Sequence, residues 1–520
     1  MTSDGRPPSR SHNSGDGRGY GGGRGNRSDG GGGRGSGRRD GYRGQRPARS
    51  QGRSGPPSRS NRPAEGSDDP ARTVAYRVLE AVGRDEAYAN LALSEQLRRA
   101  RLGGRDAAFA TELVFGVLRQ QGLYDAVIAE ASGRPVDRVD PPARDVLRLG
   151  VHQLLETRVP PHAAVGTSVA LAHRFAPAAA GFVNAILRKV SDHNVEEWIE
   201  QVAPSRESDP AGYREVRFSH PAWIVRAFST SLSTAPGGMG GLDELLQRDN
   251  MPSPVTLVAR DPDLSQEDLL RGGRVEPGRW SPWAVRMQGG SPGDVPEVRS
   301  GRAGVQDEGS QIVTAALLRA DVAGSDSRWL DMCAGPGGKA ALLARQAAAT
   351  GASVTALELH EHRVDLVSQA WRAVPGKHRV LQADARSEGW EPEGFDRVLL
   401  DAPCTGLGVL RRRPESRWRR TPDDLAPLTQ LQRELLAAAL SAVRVGGVVA
   451  YVTCSPHLAE TDQVVRDLLR RNPGVTLESA PALLPEIEQA SDVTEPRYMR
   501  LWPHLHDTDG MFLALLRRNE

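Results

Sequence analysis

Hydrophobic residues recur at helical spacing from about residue 71 to residue 190. Val74, Val78, Leu79 and Val82 trace one helix face, and Leu113, Val114, Val117 and Leu118 trace another. Val146, Leu147, Leu149, Val151, Leu154 and Leu155 continue the period, and Pro141-Pro142 and Pro160-Pro161 predict breaks between helices. Residues 71–205 are therefore expected to form an all-helical domain. Between 216 and 300 the pattern loosens: a helical piece at 223–228 and short apolar runs at 255–258 and 283–287 predict a small α/β connector. From 301 to 520 the period alternates. Strands are expected at 328–333, 353–358, 378–382, 397–401 and 448–453, with helices at 338–348, 361–371 and 428–443. That alternation implies an α/β, doubly wound, mostly parallel sheet.

Composition adds a fourth region. Residues 1–70 hold fourteen arginines, no lysine and seven acidic residues among repeated glycine and serine, so the cationic part of the chain is this stretch and the remainder is net negative. With so few apolar side chains this stretch cannot offset its ordering entropy and is expected to be disordered. Its Arg-Gly steps suit phosphate contacts and guanidinium stacking, although a solubilising tail fits them equally. The chain has no apolar run of membrane-spanning length, and its first ten residues lack the apolar centre of a secretory signal. Three cysteines in 520 residues argue against a disulfide framework and for a reducing compartment, so a cytoplasmic protein is expected. No metal is expected.

The three cysteines all fall in glycine- or proline-marked motifs. Cys333 opens Cys333-Ala334-Gly335-Pro336-Gly337-Gly338-Lys339, a tight turn between a predicted strand and a predicted helix. Glycine there lets backbone approach a ligand, and the helix N-terminus favours anionic or polar groups. The spacing is neither the dinucleotide nor the P-loop fingerprint. Glu358, Asp384 and Asp401 end the next three predicted strands, and in this geometry an acidic residue after the second strand accepts hydrogen bonds from ribose hydroxyls. Together these residues predict an adenosyl-cofactor site. Cys404, in Asp-Ala-Pro-Cys, and Cys454, in Thr-Cys-Ser, stand at strand carboxyl ends, where open α/β sheets bind ligands. They suggest a thiolate nucleophile with a second thiol beside it.

Taken together, the turn 333–339, Asp401–Cys404 and Thr453-Cys454-Ser455 resemble the Sun (Fmu) family of RNA cytosine-C5 methyltransferases. The likeness extends to Gln306–Gln311, to Gly406–Trp418 and to Asp509-Gly510-Met511-Phe512. In the helical region Phe109–Leu113, Leu147–Gly150, His162–Val165 and Phe182–Arg188 resemble the NusB-like RNA-binding domain of the bacterial 16S rRNA branch, and Ser219–Trp223 resembles its connector. The likeness covers roughly 71–520. It departs from the family at Gly335, where alanine is common and glycine should only loosen the turn, at Val258-Ala259-Arg260, and at Met511, usually phenylalanine.

The resemblance implies a Rossmann-like class I methyltransferase domain at 301–520 that uses S-adenosyl-L-methionine, bound by Cys333–Lys339, Glu358, Asp384 and Asp401. It assigns the nucleophile to Cys454, product release to Cys404 and the base contact to Asp401, with Lys339 orienting Asp401 or favouring thiolate. Analogy with DNA cytosine methyltransferases, where the Pro-Cys motif attacks, would exchange the two thiols. The implied substrate is RNA, namely 16S rRNA, naked or in a partly assembled small subunit. A tRNA substrate and a non-catalytic RNA-binding or assembly factor are the rival readings. A monomer is expected, because one chain combines RNA-binding and catalytic parts. Arg411, Arg412, Arg413, Arg417, Trp418, Arg419 and Arg420 form a basic run expected to hold RNA phosphates and stack a base, with a solvated loop as the alternative, whereas Arg119, Arg148 and Arg188 could touch RNA but are read first as solvated helix faces.

Overall fold

Apolar residues at three- and four-residue spacing become eight packed helices in the first part of the chain, as a computed structural model shows: Pro70–Arg84, Ala89–Ala100, Gly104–Arg119, Gln121–Ser132, Pro141–Leu155, Pro161–Phe175, Ala180–Val190 and Val195–Val202. Residues 69–387 and 389–520 are described; the arginine-glycine tail expected over 1–70 lies outside them except for its last two residues. Pro141 and Pro161 each open a helix, the position that has no need of the missing N–H. Val74, Val78, Leu113, Val117, Val146 and Leu149 share one buried core. Two of the arginines expected to be solvated are not. Arg148 pairs with Asp125 at 2.7 Å and Asp145 at 3.2 Å, and Arg119 is buried. Carboxylates neutralise Arg148, while the Arg119 guanidinium lies over the Phe115 ring.

Further helices at Pro210–Arg217, Ala222–Ser231 and Leu242–Asp249 lead into a small antiparallel sheet. Its strands β1 (Val255–Ala259), β2 (Val275–Pro277), β3 (Ala284–Met287) and β4 (Ala303–Val305) run in the order β2-β3-β1-β4.

The large sheet follows. Its strands are β5 (Arg328–Asp331), β6 (Ser353–Glu358), β7 (Arg379–Gln382), β8 (Phe395–Asp401), β9 (Val443–Thr453), β10 (Val475–Glu478), β11 (Met499–Leu501) and β12 (Met511–Arg518). The order is β10-β12-β9-β8-β5-β6-β7, with β11 also on β12. Strands β5 to β9 pair in parallel, while β10, β11 and β12 add an antiparallel side. Alternate strand residues feed two cores. Ile312, Leu343 and Val367 pack with Trp329, Leu399 and Val452 on one face; Leu435, Leu436 and Val464 pack with Leu330, Leu400 and Tyr451 on the other. Burial on both faces explains why these strands read as continuous apolar runs. The chain moves outward from β5 to β7, then returns to β5's other side at β8. That reversal opens a crevice at the carboxyl ends of β5, β6 and β8.

Candidate active site

The turn after β5 is pinned by its neighbours: Met332 N–H donates to the Leu399 carbonyl and Ala334 N–H to the Leu357 carbonyl, both at 2.9 Å. Gly337, in the left-handed region at φ 107°, then caps the helix Gly338–Thr350. Glu358, at the end of β6, accepts from Gly335 N–H at 3.1 Å and from His360 N–H at 3.0 Å. A Cβ at residue 335 would collide with that carboxylate and with Arg363. Glycine at 335 therefore does more than loosen the turn; it admits the Glu358 carboxylate against it. Asp331 is buried, with one oxygen accepting from Cys333 N–H at 3.3 Å and the other without a partner among the described residues. Burial, and next the Asp401 charge, push its carboxyl up to about 7. Asp384 lies on the same edge beyond β7, but Arg386 engages both of its oxygens, which holds its carboxyl below the usual range.

Asp401 closes β8, and Lys339, in the first turn of its helix, reaches it with Nζ to Oδ2 at 2.8 Å. Cys404 follows three residues later. Cys454 directly follows β9, and the two Sγ atoms stand 3.4 Å apart. A hydrogen bond from Cys404 holds the Cys454 thiol below its ordinary value; Lys339 also favours thiolate there, against burial and the Asp401 charge. The Cys404 thiol is pushed well up, by its hydrogen bond to Cys454, by burial, and by the charges of Cys454, Glu460 and Asp401. Cys333 packs against the core face that holds Leu330 and Leu400, opposite the face that Cys454 packs against, and burial raises its thiol well above the ordinary value.

Most of the basic run after Cys404 is turned into the fold. Arg411 and Arg417 are buried, Arg411 pairs with Asp507 at 3.0 Å, and Arg412 pairs with Asp509. Arg419 donates to the carbonyls of Val82 at 3.1 Å and Ala87 at 2.6 Å, and Glu415 accepts from Ala89 N–H at 3.2 Å. Arg413 and Trp418 alone of this run are exposed. Arg417 and Arg419 strap the catalytic segment to the helical one, while Arg411 and Arg412 pair within the sheet region, so carbonyls and carboxylates inside the chain take these donors. Gly408 marks the tightest crossing: its N–H donates to the Cys454 carbonyl at 2.9 Å, Gly510 N–H donates to its own carbonyl at 2.7 Å, and any Cβ there would strike both.

Asp307, Glu460 and Asp509 had no role assigned from sequence. Asp307 accepts from Gly309 N–H at 2.8 Å and Asp509 N–H at 2.9 Å, joining the entry of the sheet region to its last strand. Glu460 lies buried six residues beyond Cys454, where neither a motif nor a period marks it.

Two family models match the chain: that of the 16S rRNA methyltransferase RsmB/F over residues 321–517, and that of the NusB family over 69–192. A Mycobacterium tuberculosis protein named as a methyltransferase, with no substrate in its name, is 49% identical over 461 residues, covering 88% of this chain and 99% of that protein. Ribosomal RNA small subunit methyltransferase B of Pseudomonas putida is 31% identical over 456 residues, covering 86% and 98%. The crystal structure of PH0851 shares the fold at 22% identity and TM-score 0.71, covering 86% of this chain and 98% of that one.

Proposed function

The chain belongs to the RsmB/F family of 16S rRNA methyltransferases, with a NusB-family segment ahead of the catalytic part, and from that membership we propose that it methylates C5 of a cytosine in 16S rRNA through a covalent bond between Cys454 and C6. The observation that carries this reading is the pair of thiols 3.4 Å apart at the carboxyl ends of adjacent parallel strands, beside the Lys339–Asp401 pair.

C5 of cytosine is too electron-poor to take a methyl group directly. The Cys454 thiolate adds to C6, and the electron pair of the C5–C6 double bond moves to C5, which then takes the methyl. The C5 proton then passes to water, the electron pair of the broken C5–H bond re-forms the C5–C6 double bond, and Cys454 leaves C6 with its bonding pair as thiolate. Cys404 acts at this release, where its S–H hydrogen-bonds the leaving sulfur. Asp401 contacts the base at N3, and Lys339 holds Asp401 in place and favours the thiolate. A paired base cannot reach such a crevice, so the target cytosine is unpaired or flipped.

The methyl donor is S-adenosyl-L-methionine, which supplies an electrophilic methyl on a sulfonium. Its groups fit the residues present. The unpartnered oxygen of buried Asp331 suits a hydroxyl or ammonium, and the Gly335 turn brings Glu358 to where ribose hydroxyls would lie. Cys333–Lys339 line that turn, and Asp384 takes the adenine end once Arg386 yields it. The protein acts as a monomer on 16S rRNA.

The test offers the protein S-adenosyl-L-methionine with 16S rRNA, with partly assembled small subunits or with tRNA, and digests each RNA to nucleosides for mass spectrometry. 5-Methylcytidine from 16S rRNA or subunits supports the reading. The same product from tRNA alone would move the substrate, and cofactor binding without transfer would make the protein an assembly factor.

A further inference from the structure

The two thiols sit on separate loops, and strand pairing does not reach either of them. The β8–β9 ladder ends at Asp401 and Val452 and the β9–β12 ladder at Thr453, and both cysteines lie beyond. Some other contact must hold Sγ against Sγ.

Glu460, just ahead of the helix Asp462–Arg471, is fully buried and meets both loops. Oε1 accepts from Thr405 N–H at 2.7 Å and from the Gln432 amide at 3.2 Å. Oε2 accepts from the Thr405 hydroxyl at 2.5 Å and the Ser455 hydroxyl at 2.6 Å. Thr405 directly follows Cys404, and Ser455 directly follows Cys454. One carboxylate therefore grips the neighbour of each thiol. Gln432 extends the grip, because the same amide donates to the Pro403 carbonyl at 2.8 Å, on the other side of Cys404. Glu460 is itself fixed: Tyr451, within β9, donates its hydroxyl to the Glu460 carbonyl at 2.6 Å. Hydrogen bonds to an ionised acceptor are about twice as strong as neutral ones.

We infer that Glu460 is a positioning residue, a buried clamp that holds the Cys404 and Cys454 loops in register and so sets the spacing of the two thiols. Its charge has a second consequence. It disfavours thiolate at Cys404, while Lys339 favours it at Cys454. The inference rests on the proposed function only for what the thiols do, not for how they are held.

Phenylarsine oxide tests the clamp without RNA, because it bridges two neighbouring thiols into a dithioarsenite with loss of water. The full-length protein is expected to take up one equivalent that joins Cys404 to Cys454, seen by intact mass and peptide mapping. Glu460→Gln, which keeps the shape and removes the charge, should lower the capture rate by about tenfold, since the spacing of the two thiols is lost, even though removing the charge alone would favour thiolate at Cys404. In a methyl-transfer assay the same variant should lose about a hundredfold in kcat with its Kd for S-adenosyl-L-methionine unchanged, the signature of misplaced reacting groups. If Glu460→Gln does not fold, the pair Thr405→Val and Ser455→Ala, which keeps the charge and removes both hydroxyl donors, carries the same expectation for capture. Parent-like capture by a folded variant overturns the clamp, as does a parent protein whose thiols are not bridged. A parent that captures the reagent but transfers no methyl group leaves the clamp standing and sinks the proposed activity.

Discussion

Arg417 Nη1 donates to the carbonyl of Arg119, the last residue of the helix Gly104–Arg119, at 2.8 Å. The same buried guanidinium reaches the carbonyls of Ser219 at 3.2 Å and Asp249 at 2.8 Å and the side chain of Asn250 at 2.7 Å. Arg417 lies on the segment that begins at Cys404, so the loop carrying one of the two thiols is anchored in the NusB-family helices. RNA held by those helices would be mechanically tied to the crevice where the thiols stand.

Arg417→Met should therefore lower stability by about 3 kcal/mol, because it leaves several buried acceptors unpaired at once. Urea unfolding measures this. A loss below about 1 kcal/mol would show that the strap bears little of the contact.

Lys339→Met removes the cation that favours thiolate at Cys454. Because the thiolate is the reacting form, alkylation of Cys454 by iodoacetamide rises with pH through its titration. In the variant that rise should move to higher pH. A profile that stays in place would mean that the hydrogen bond from Cys404 alone sets the thiol.

Glu358→Ala should weaken S-adenosyl-L-methionine binding by roughly 10- to 100-fold, the loss of one or two hydrogen bonds to a charged acceptor. Titration calorimetry reads this directly. Asp384→Ala should do less, since Arg386 already occupies its carboxylate.

Asp249 is buried, with His220 at 3.6 Å, and burial pushes its carboxyl up to about 7. A folded-state value above the unfolded one, about 3.9, means that the folded protein binds the extra proton between them. The contribution is full below about pH 4, is lost as pH rises toward 7, and then levels. Asp249→Asn cannot titrate. Relative to that variant the parent should lose on the order of 2–4 kcal/mol between pH 4 and 8, as read by denaturant melts across that range.

Much of this was legible in the sequence, for physical reasons. Strands β5, β6, β8 and β9 are buried on both faces, so their apolar runs announce them, and glycine, proline and cysteine mark the turns that follow. By contrast β2 and β4 have three residues each, too short to carry a period. The basic run 411–420 was misread because an arginine's partner is invisible locally. Asp507, which neutralises Arg411, lies 96 residues away, and the carbonyl that Arg417 meets lies 298 residues away. Glu460 escaped for the opposite reason: a lone carboxylate at the head of a helix reads as a solvated cap until the fold buries it against Thr405 and Ser455.

The central claim is that Cys454 attacks and Cys404 releases. Cys454→Ala and Cys404→Ala proteins, each incubated with 16S rRNA and S-adenosyl-L-methionine and run on a denaturing gel, test it most directly. The account predicts a stable protein–RNA adduct for Cys404→Ala and none for Cys454→Ala. An adduct that forms in Cys454→Ala and is absent from Cys404→Ala would contradict it and exchange the roles of the two thiols.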